Sequence, residues 1–328
     1  MTPRLSIVVP AYGAAPTLPA TLASLTAQSL RDIEIIVVDD GGPDACGDIA
    51  RQAARTDARI RVIHQANRGL AGARNTGIHA ARADVIGFCD ADDLWSGDKA
   101  ARHVAHLARA PQVGLSYAGS RLIDEMGAPT GHAQRPRLGR VDAAQILKRN
   151  PVGNGSAPVL RRAALDALAW TPAQETTRPW VFDETLRQSE DIECWLRLAL
   201  TTDWTIEGID GLLTDYRIVQ SGLSANTEAQ LATWERATMA LAPRAPAFFA
   251  RHHAAARAYQ LRYLARRAIS AGDGARARAL LARSNRASLR PWREEPGRTA
   301  LTYAAAQGLR FGPAPIALAA RLLARRAA

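Results

Sequence analysis

The stretch Cys89-Asp90-Ala91-Asp92-Asp93-Leu94-Trp95 places three carboxylates directly after Asp84-Val85-Ile86-Gly87-Phe88, a run with the character of a buried strand. Carboxylates crowded at a strand end repel one another, and burying them is costly unless a cation lies between them. Oxygen-only ligands suit hard divalent ions such as Mg2+ or Mn2+, which keep waters and take substrate phosphates as further ligands. That chemistry points to a nucleotide-bearing substrate. The same residues are also compatible with solvated turn formers, and Asp93 could cap a helix beginning near Ser96 to Lys99.

Two further strand ends carry candidate ligands. In Val8-Val9-Pro10-Ala11-Tyr12 the proline ends the ladder and Tyr12 can offer a ring to a planar base, although a core tyrosine would look the same. In Asp39-Asp40-Gly41-Gly42 two carboxylates precede a sharp turn, where they could bind a base edge or a ribose or simply form an Asp-Gly turn. Downstream, Ser189-Glu190-Asp191-Ile192-Glu193-Cys194-Trp195 opens a helix with Ser189 as a plausible cap. Taken alone, its acids read as helix-dipole partners and Trp195 as a core residue.

These residues need a frame, and the first hundred positions supply one by alternating β-branched runs with helical periodicity, the pattern of a parallel α/β sheet. Strands are expected at Leu5 to Val9, Ile33 to Val38, Ile60 to His64 and Val85 to Phe88, with helices at Thr17 to Gln28, Gly47 to Arg55 and Gly69 to Ala81. Parallel strands then present their ends at one sheet edge, where open α/β folds bind ligands. From Pro111 onward the expectations are short strands at Val113 to Tyr117, Ser120 to Ile123 and Ala157 to Leu160, and a helix at Val141 to Lys148. A loop at Thr171 to Asp183, with Pro172 and Pro179, is expected over a substrate cleft, followed by a helix from Ser189 to Leu200. Beyond Thr227 the chain reads as helical, with a hairpin of Ala255 to Ser270 and Ala275 to Ser284 around Gly272-Asp273-Gly274.

At 328 residues and 47% hydrophobic content the chain can bury a substantial core, so wholesale disorder is excluded. Three cysteines without metal-ligand spacing suggest free thiols in a reducing compartment. No charged segment with a long apolar run precedes Leu5, and no apolar span is long enough for a bilayer, which disfavours secretion and membrane spanning. The net charge of +11 is unevenly placed: residues 236 to 328 carry 18 arginines against three acids, a net of +15, and the remainder is −4. Few aromatics accompany those arginines, which argues against nucleic acid and for peripheral contact with an anionic membrane.

Taken in order, Ser6-Ile7-Val8-Val9-Pro10-Ala11-Tyr12, Ile35-Ile36-Val37-Val38-Asp39-Asp40-Gly41, Asn67-Arg68-Gly69-Leu70-Ala71-Gly72-Ala73-Arg74-Asn75-Thr76-Gly77 and Asp90-Ala91-Asp92-Asp93 resemble the nucleotide-sugar-binding half of the family-two inverting glycosyltransferases. The resemblance covers residues 5 to 100 closely and continues loosely to about 224. It implies an α/β GT-A fold, a Rossmann-like mixed, mainly parallel sheet flanked by helices, with a C-terminal α-helical extension. The expected domains are 1–226, with a nucleotide-binding half at 1–110 and an acceptor-binding half at 111–226, and an Arg/Ala-rich helical region at 227–328.

Carried over by residue, the resemblance implies that Pro10, Ala11 and Tyr12 border the nucleobase and that Asp39 and Asp40 meet base or ribose. Arg74 would sit near base or diphosphate; Asp90 and Ala91 would lie by the ribose, and Asp92 would bind Mg2+ or Mn2+. Asp191, with Glu190 beside it, would be the general base, while Trp195 and Arg217 are assigned more weakly to the acceptor side and the diphosphate. Two departures stand out: Gly42-Pro43 replaces the usual serine after Asp-Asp-Gly, and Val219 stands where many members have histidine. The implied activity is inverting transfer from a nucleoside-diphosphate sugar, a UDP-sugar by preference, to a glycan or lipid-linked glycan in cell-envelope polysaccharide synthesis. Its expected place is the cytoplasm, at the inner face of the plasma membrane. The alternatives are a nucleotidyltransferase on a related scaffold, or a non-enzymatic binder of anionic surfaces or nucleic acid through the basic tail.

Overall fold

The computed structural model describes residues 2–173, 175, 178–218 and 227–311. Uninterrupted apolar runs form strands covered on both faces: every residue of β1 (Leu5–Ala11) and β2 (Ile33–Asp39) is buried. With β3 (Ile60–His64) and β4 (Val85–Phe88) they pair in parallel in the order β3-β2-β1-β4. The crossovers are α1 (Leu18–Thr26), α2 (Cys46–Thr56) and α3 (Gly69–Ala80). Because the four strands run the same way, Ala11, Asp39 and the residues after Phe88 emerge at one edge.

The sheet continues through β5 (Leu94–Trp95), β6 (Val113–Ile123), β7 (Pro129–Gln134), β8 (Gly139–Val141), β9 (Pro158–Arg161) and β10 (Thr205–Arg217), with α4 (Lys99–Arg109), α5 (Ala143–Arg149), α6 (Arg162–Asp166) and α7 (Glu190–Thr201) between them. The full order is β3-β2-β1-β4-β9-β6-β10-β5, with β7 on β6 and β8 on β10. Strand β9 runs antiparallel to β4 and β6, so the result is a mixed, mostly parallel sheet flanked by helices.

Four local expectations change. The two short strands expected around residues 113–123 are one strand: Gly119 does not break it but admits β7, since a Cβ there would lie 2.7 Å from the Gln134 carbonyl oxygen. The helix expected from Val141 starts at Ala143, where Asp142 and Gln145 form a capping box. Strand β10 was not expected, because bulges between Gly208 and Thr214 interrupt the alternation of its side chains. Asp93 does not cap α4; Asp98 occupies that position, without a side-chain bond.

By contact the chain divides into two compact units, residues 1–146 with 150–223 and residues 147–149 with 224–328. The second holds α8 (Thr227–Leu241), α9 (Pro246–Ser270), α10 (Gly274–Ala287), α11 (Arg290–Glu294) and α12 (Pro296–Gly308). Helices α9 and α10 bury Leu261, Leu264, Ala265, Leu280 and Leu281, and Asp273 caps α10 through the Arg276 N–H at 2.9 Å. The three cysteines are free and buried. Among the described residues no helix is long and apolar enough to cross a membrane.

Close approach of α3 to β1 depends on Gly77, where a Cβ would fall 2.8 Å from Val8 Cγ2 and 3.0 Å from Val8 Cβ, with Cγ1 closer still. Gly77→Ala gains about 1 kcal/mol of helix propensity but overpacks the helix on the strand at roughly 1–3 kcal/mol. A net loss of stability is expected, read as a lower urea midpoint at unchanged m-value.

Candidate active site

At the shared edge, Ala11 pairs in register with Asp39, and its carbonyl accepts the Asp40 N–H at 3.0 Å. Pro10 and Ala11 are buried, whereas Tyr12 stands out into solvent at 55% exposure. The Asp39 carboxylate meets His64 Nδ1 at 2.9 Å. Asp40 faces the start of α3, accepting from the backbone N–H groups of Arg68 and Gly69, each at 2.9 Å, and from Gln65 Nε2 at 2.6 Å. The turn beyond them tolerates little bulk: a Cβ on Gly42 would lie 3.1 Å from Gly13 N, a physical reason for glycine at this position.

The carboxylate loop after β4 is clamped from beneath. Thr17 and Thr21 donate to the Ala91 carbonyl at 2.9 and 3.0 Å, and Thr21 also reaches the Asp93 carbonyl at 2.9 Å. Ser156 Oγ accepts the Asp90 N–H at 2.8 Å and donates to Asp93 Oδ2 at 2.5 Å, while Asp93 Oδ1 accepts the Arg217 N–H at 2.9 Å. Asp93 is therefore an internal brace, fully buried. Burial first, then Asp92 and Asp90, push its carboxyl well above the usual range.

Asp90 and Asp92 face the open side and are only partly buried. Burial and the neighbouring Asp90 push Asp92 up to about 6, with its own backbone N–H and the charge of Arg217 pulling the other way. Asp90 Oδ1 accepts from Arg74 Nη2 at 2.8 Å; the other end of that guanidinium, Nη1, donates to Glu190 Oε1 at 2.7 Å. Arg74 is 1% exposed, with Phe182 and Phe88 rings 5.5 and 6.0 Å from Cζ.

One guanidinium thus joins the carboxylate loop to the first turn of α7. There Ser189 takes a left-handed conformation at φ 62° and makes no side-chain cap, unlike the expectation for it. Asp191, next to the paired Glu190, is pushed up to about 7, first by burial and then by repulsion from Glu190, with Arg74 pulling the other way. The segment before α7 is held by Asn75, whose Oδ1 accepts the N–H groups of Val181 and Phe182 at 3.0 and 2.8 Å and whose Nδ2 donates to the Phe182 carbonyl at 2.8 Å. Arg68 pairs with Glu184 at 2.9 Å and with Glu175, tying the same segment to α3.

With this geometry in view, similarity to known proteins has a definite meaning. The family described as Glycosyl transferase family 2 matches residues 6–168. Residues 6–168 belong to that family. An uncharacterized glycosyltransferase of Bacillus subtilis (strain 168), EpsJ, is 58% identical over 96 residues, 29% of this chain and 28% of the relative. A putative teichuronic acid biosynthesis glycosyltransferase of the same organism, TuaG, is 27% identical over 71% of this chain and 86% of its own length. The chain thus spans only 28% of the length of EpsJ, and the same share of another B. subtilis relative, EpsH. Two solved structures share the GT-A fold: S. aureus TarS in complex with UDP-GlcNAc, at 17% identity, TM-score 0.59 and coverage of 94% and 92% of the two chains, and the mannosyltransferase PcManGT of Pyrobaculum calidifontis with GDP-Man and Mn2+, at 21%, 0.56, 95% and 88%. At these identities the likeness speaks to fold.

The structure brings together Arg74, Asp90, Ala91, Asp92, Glu190 and Asp191 from three separate stretches of the sequence. Trp195, assigned to the acceptor side, is 1% exposed and packs edge-on against Phe182 at 5.7 Å, so as placed it fills the core behind the site. Arg217 is 8% exposed and directs its guanidinium to the carbonyls of Asp92, Asp124 and Glu125 at 2.8–3.0 Å, bracing the carboxylate loop. Val219 lies outside the described residues, as do Gln174, Thr176 and Thr177 of the loop expected over the cleft. Sequence reasoning missed Gly155 and Ser156, although glycines flanking Asn154 just before a strand are a turn signal of the kind that accompanies close backbone approach.

Among the described residues no group of three or more His, Cys, Asp or Glu side chains forms a metal cage. A hard divalent ion still fits: burial and the neighbouring Asp90 disfavour the charge on Asp92, and such ions complete their shells with water and phosphate oxygens.

Gly155 leaves room for the central ion pair, since a Cβ there would lie 3.0 Å from Arg74 Cζ and 3.1 Å from Asp90 Oδ2, with Nη2 closer still. Gly155→Ala should push the guanidinium off Asp90. Loosening a buried pair costs roughly 3 kcal/mol, visible as a lower denaturation midpoint, and nucleotide binding should weaken with it in calorimetry.

Proposed function

We propose that this chain is an inverting, metal-assisted glycosyltransferase that moves a sugar from a nucleoside-diphosphate sugar, a UDP-sugar by preference, to a hydroxyl of a glycan or lipid-linked glycan. The observation that carries the proposal is the single buried guanidinium of Arg74, which sets the Asp90–Asp92 loop and the Glu190–Asp191 turn against one another. One side of that bridge suits a diphosphate and the other suits a proton acceptor. The nucleotide sugars bound by TarS and PcManGT, and the Mn2+ bound by the latter, support a nucleotide-sugar substrate and a divalent ion. The description of TuaG supports a cell-envelope glycan as acceptor.

In this mechanism Pro10, Ala11 and Tyr12 border the base, Asp39 and Asp40 shape the pocket for base and ribose, and Asp90 and Ala91 flank the ribose. Asp92 would hold Mg2+ or Mn2+, whose charge, when the ion is bound, offsets that developing on the departing diphosphate. Asp191 takes the proton of the acceptor hydroxyl as its oxygen attacks the anomeric carbon from the face opposite the breaking C–O bond, inverting the centre. Burial that places Asp191 near 7 makes it a stronger base than an ordinary aspartate while leaving it largely ionised at mildly alkaline pH. Glu190, paired with Arg74, keeps the carboxylate turn in place and adds the repulsion that raises Asp191. The family match over residues 6–168 supports glycosyl transfer over the nucleotidyltransferase alternative.

Asp191→Asn is expected to lower kcat by roughly 10²–10⁴-fold while nucleotide affinity, measured by calorimetry, stays within a few-fold. Full transfer by that variant would remove Asp191 from the role. Because the base acts unprotonated, log(kcat/KM) of the parent protein should climb with pH to a plateau above about 7, and this limb should vanish in the variant. Chelation by EDTA should stop turnover and added Mn2+ or Mg2+ restore it; undiminished turnover in EDTA would exclude the metal.

A further inference from the structure

The helical unit contains a crowded set of cations that its own acids do not balance. Glu295, at the junction of α11 and α12, pairs with Arg149 and Arg262 and lies 3.8 Å from Arg298 Nη1. Arg149 and Arg262 also flank the ring of Tyr259, their Cζ atoms 5.1 and 5.0 Å from its centroid. A fourth guanidinium, that of Arg266, belongs to the same group: Arg262, Arg149 and Arg298 all act on it repulsively. Its Cζ lies over the ring of Tyr263, 5.9 Å from the centroid. The neighbouring Glu294 gives no relief, because Lys148 and Arg290 already engage it at 2.7 and 3.3 Å.

Three guanidiniums therefore meet at the Glu295 carboxylate, and the charge of Arg266 adds to theirs. Arg262 is 3% exposed and fixed by Thr299 and Glu295, whereas Arg266 and Arg298 are exposed. Burial first, and then repulsion from neighbouring arginines, holds Arg149 and Arg266 below the ordinary arginine value. Planar forks converging from several helices match tetrahedral oxyanions, which accept two charge-assisted bonds from each fork.

We propose that Arg149, Arg262, Arg266 and Arg298 form a binding site for a phosphate-bearing anion, supplied as a free phosphate compound or as the headgroup of an anionic lipid. The site requires nothing of the transfer reaction, so either can fail without the other.

The test uses the full chain in EDTA, which suppresses metal-dependent capture of phosphates by the Asp90–Asp92 loop. Inorganic pyrophosphate is titrated by calorimetry, and flotation is run with phosphatidylcholine vesicles with and without phosphatidylglycerol. Arg266→Ala/Arg298→Ala removes the two exposed forks; Arg244→Ala/Arg251→Ala removes equal charge from exposed positions elsewhere in the unit. The cluster variant should bind at least one probe about tenfold more weakly than the parent, and the control variant should not. Capture of pyrophosphate alone assigns a free phosphate compound, and capture of the phosphatidylglycerol vesicles alone assigns a lipid headgroup. Failure of both probes to bind the parent, or equal loss in both variants, would overturn the site and leave the arginines as an internal ion-pair network.

Discussion

Arg74 is the constraint around which the rest of the site is organised. A guanidinium cannot shed its proton at any physiological pH, so one that is 1% exposed needs carboxylates within hydrogen-bond reach. It finds two, Asp90 and Glu190, 116 residues separating it from the second. Neither bond could form unless the loop after β4 and the start of α7 were brought to the same place. Removing both acids would strand a buried charge, which is far costlier than the modest net gain of the intact pairs. The bridge is thus less a source of stability than a specification of geometry.

Around it the same residue type is given different tasks by environment. Asp93 is buried and bonded to Ser156 and to the Arg217 backbone, so it serves the loop from inside. Asp92, one residue earlier, is pushed to about 6 by burial and by Asp90, the state of a carboxylate that gains from a cation. Asp191 reaches about 7 by burial and by the repulsion of Glu190. Asp40 turns to the N–H groups at the start of α3. Electrostatic accommodation of these acids relies on neutral scaffolding as well, since Thr17, Thr21 and Ser156 hold the loop's backbone without adding charge.

The second support is Asn75, which satisfies two backbone N–H groups and one carbonyl of a segment with no regular structure. Irregular backbone near a ligand site needs such partners, because orphaned polar groups there would be costly. Phe182, positioned by this clasp, supplies a wall beside Arg74 and packs on Trp195. A residue quoted as part of a nucleotide-binding motif therefore builds the site from behind, and so do Trp195 and Arg217.

Local sequence determined the nucleotide-side half of the molecule almost completely. Apolar runs in the first hundred residues had only one way to be buried, as parallel strands with crossovers, and β2, β3 and β4 lie within a residue of where periodicity put them. Asp39, Asp40 and the Asp90–Asp93 loop were legible for the same reason: a polar cluster directly after a buried strand must surface at the sheet edge. Strand β10 was not legible, because its glycines and bulges erase alternation and its partners β6, β8 and β5 are distant in sequence. Only the tertiary structure decided that Arg74 answers both Asp90 and Glu190, that Ser156 braces Asp93, and that Trp195 and Arg217 face inward. Those outcomes depend on long-range burial, which sets the cost of an unpaired charge and so selects its partner, and no local pattern of residues carries that information.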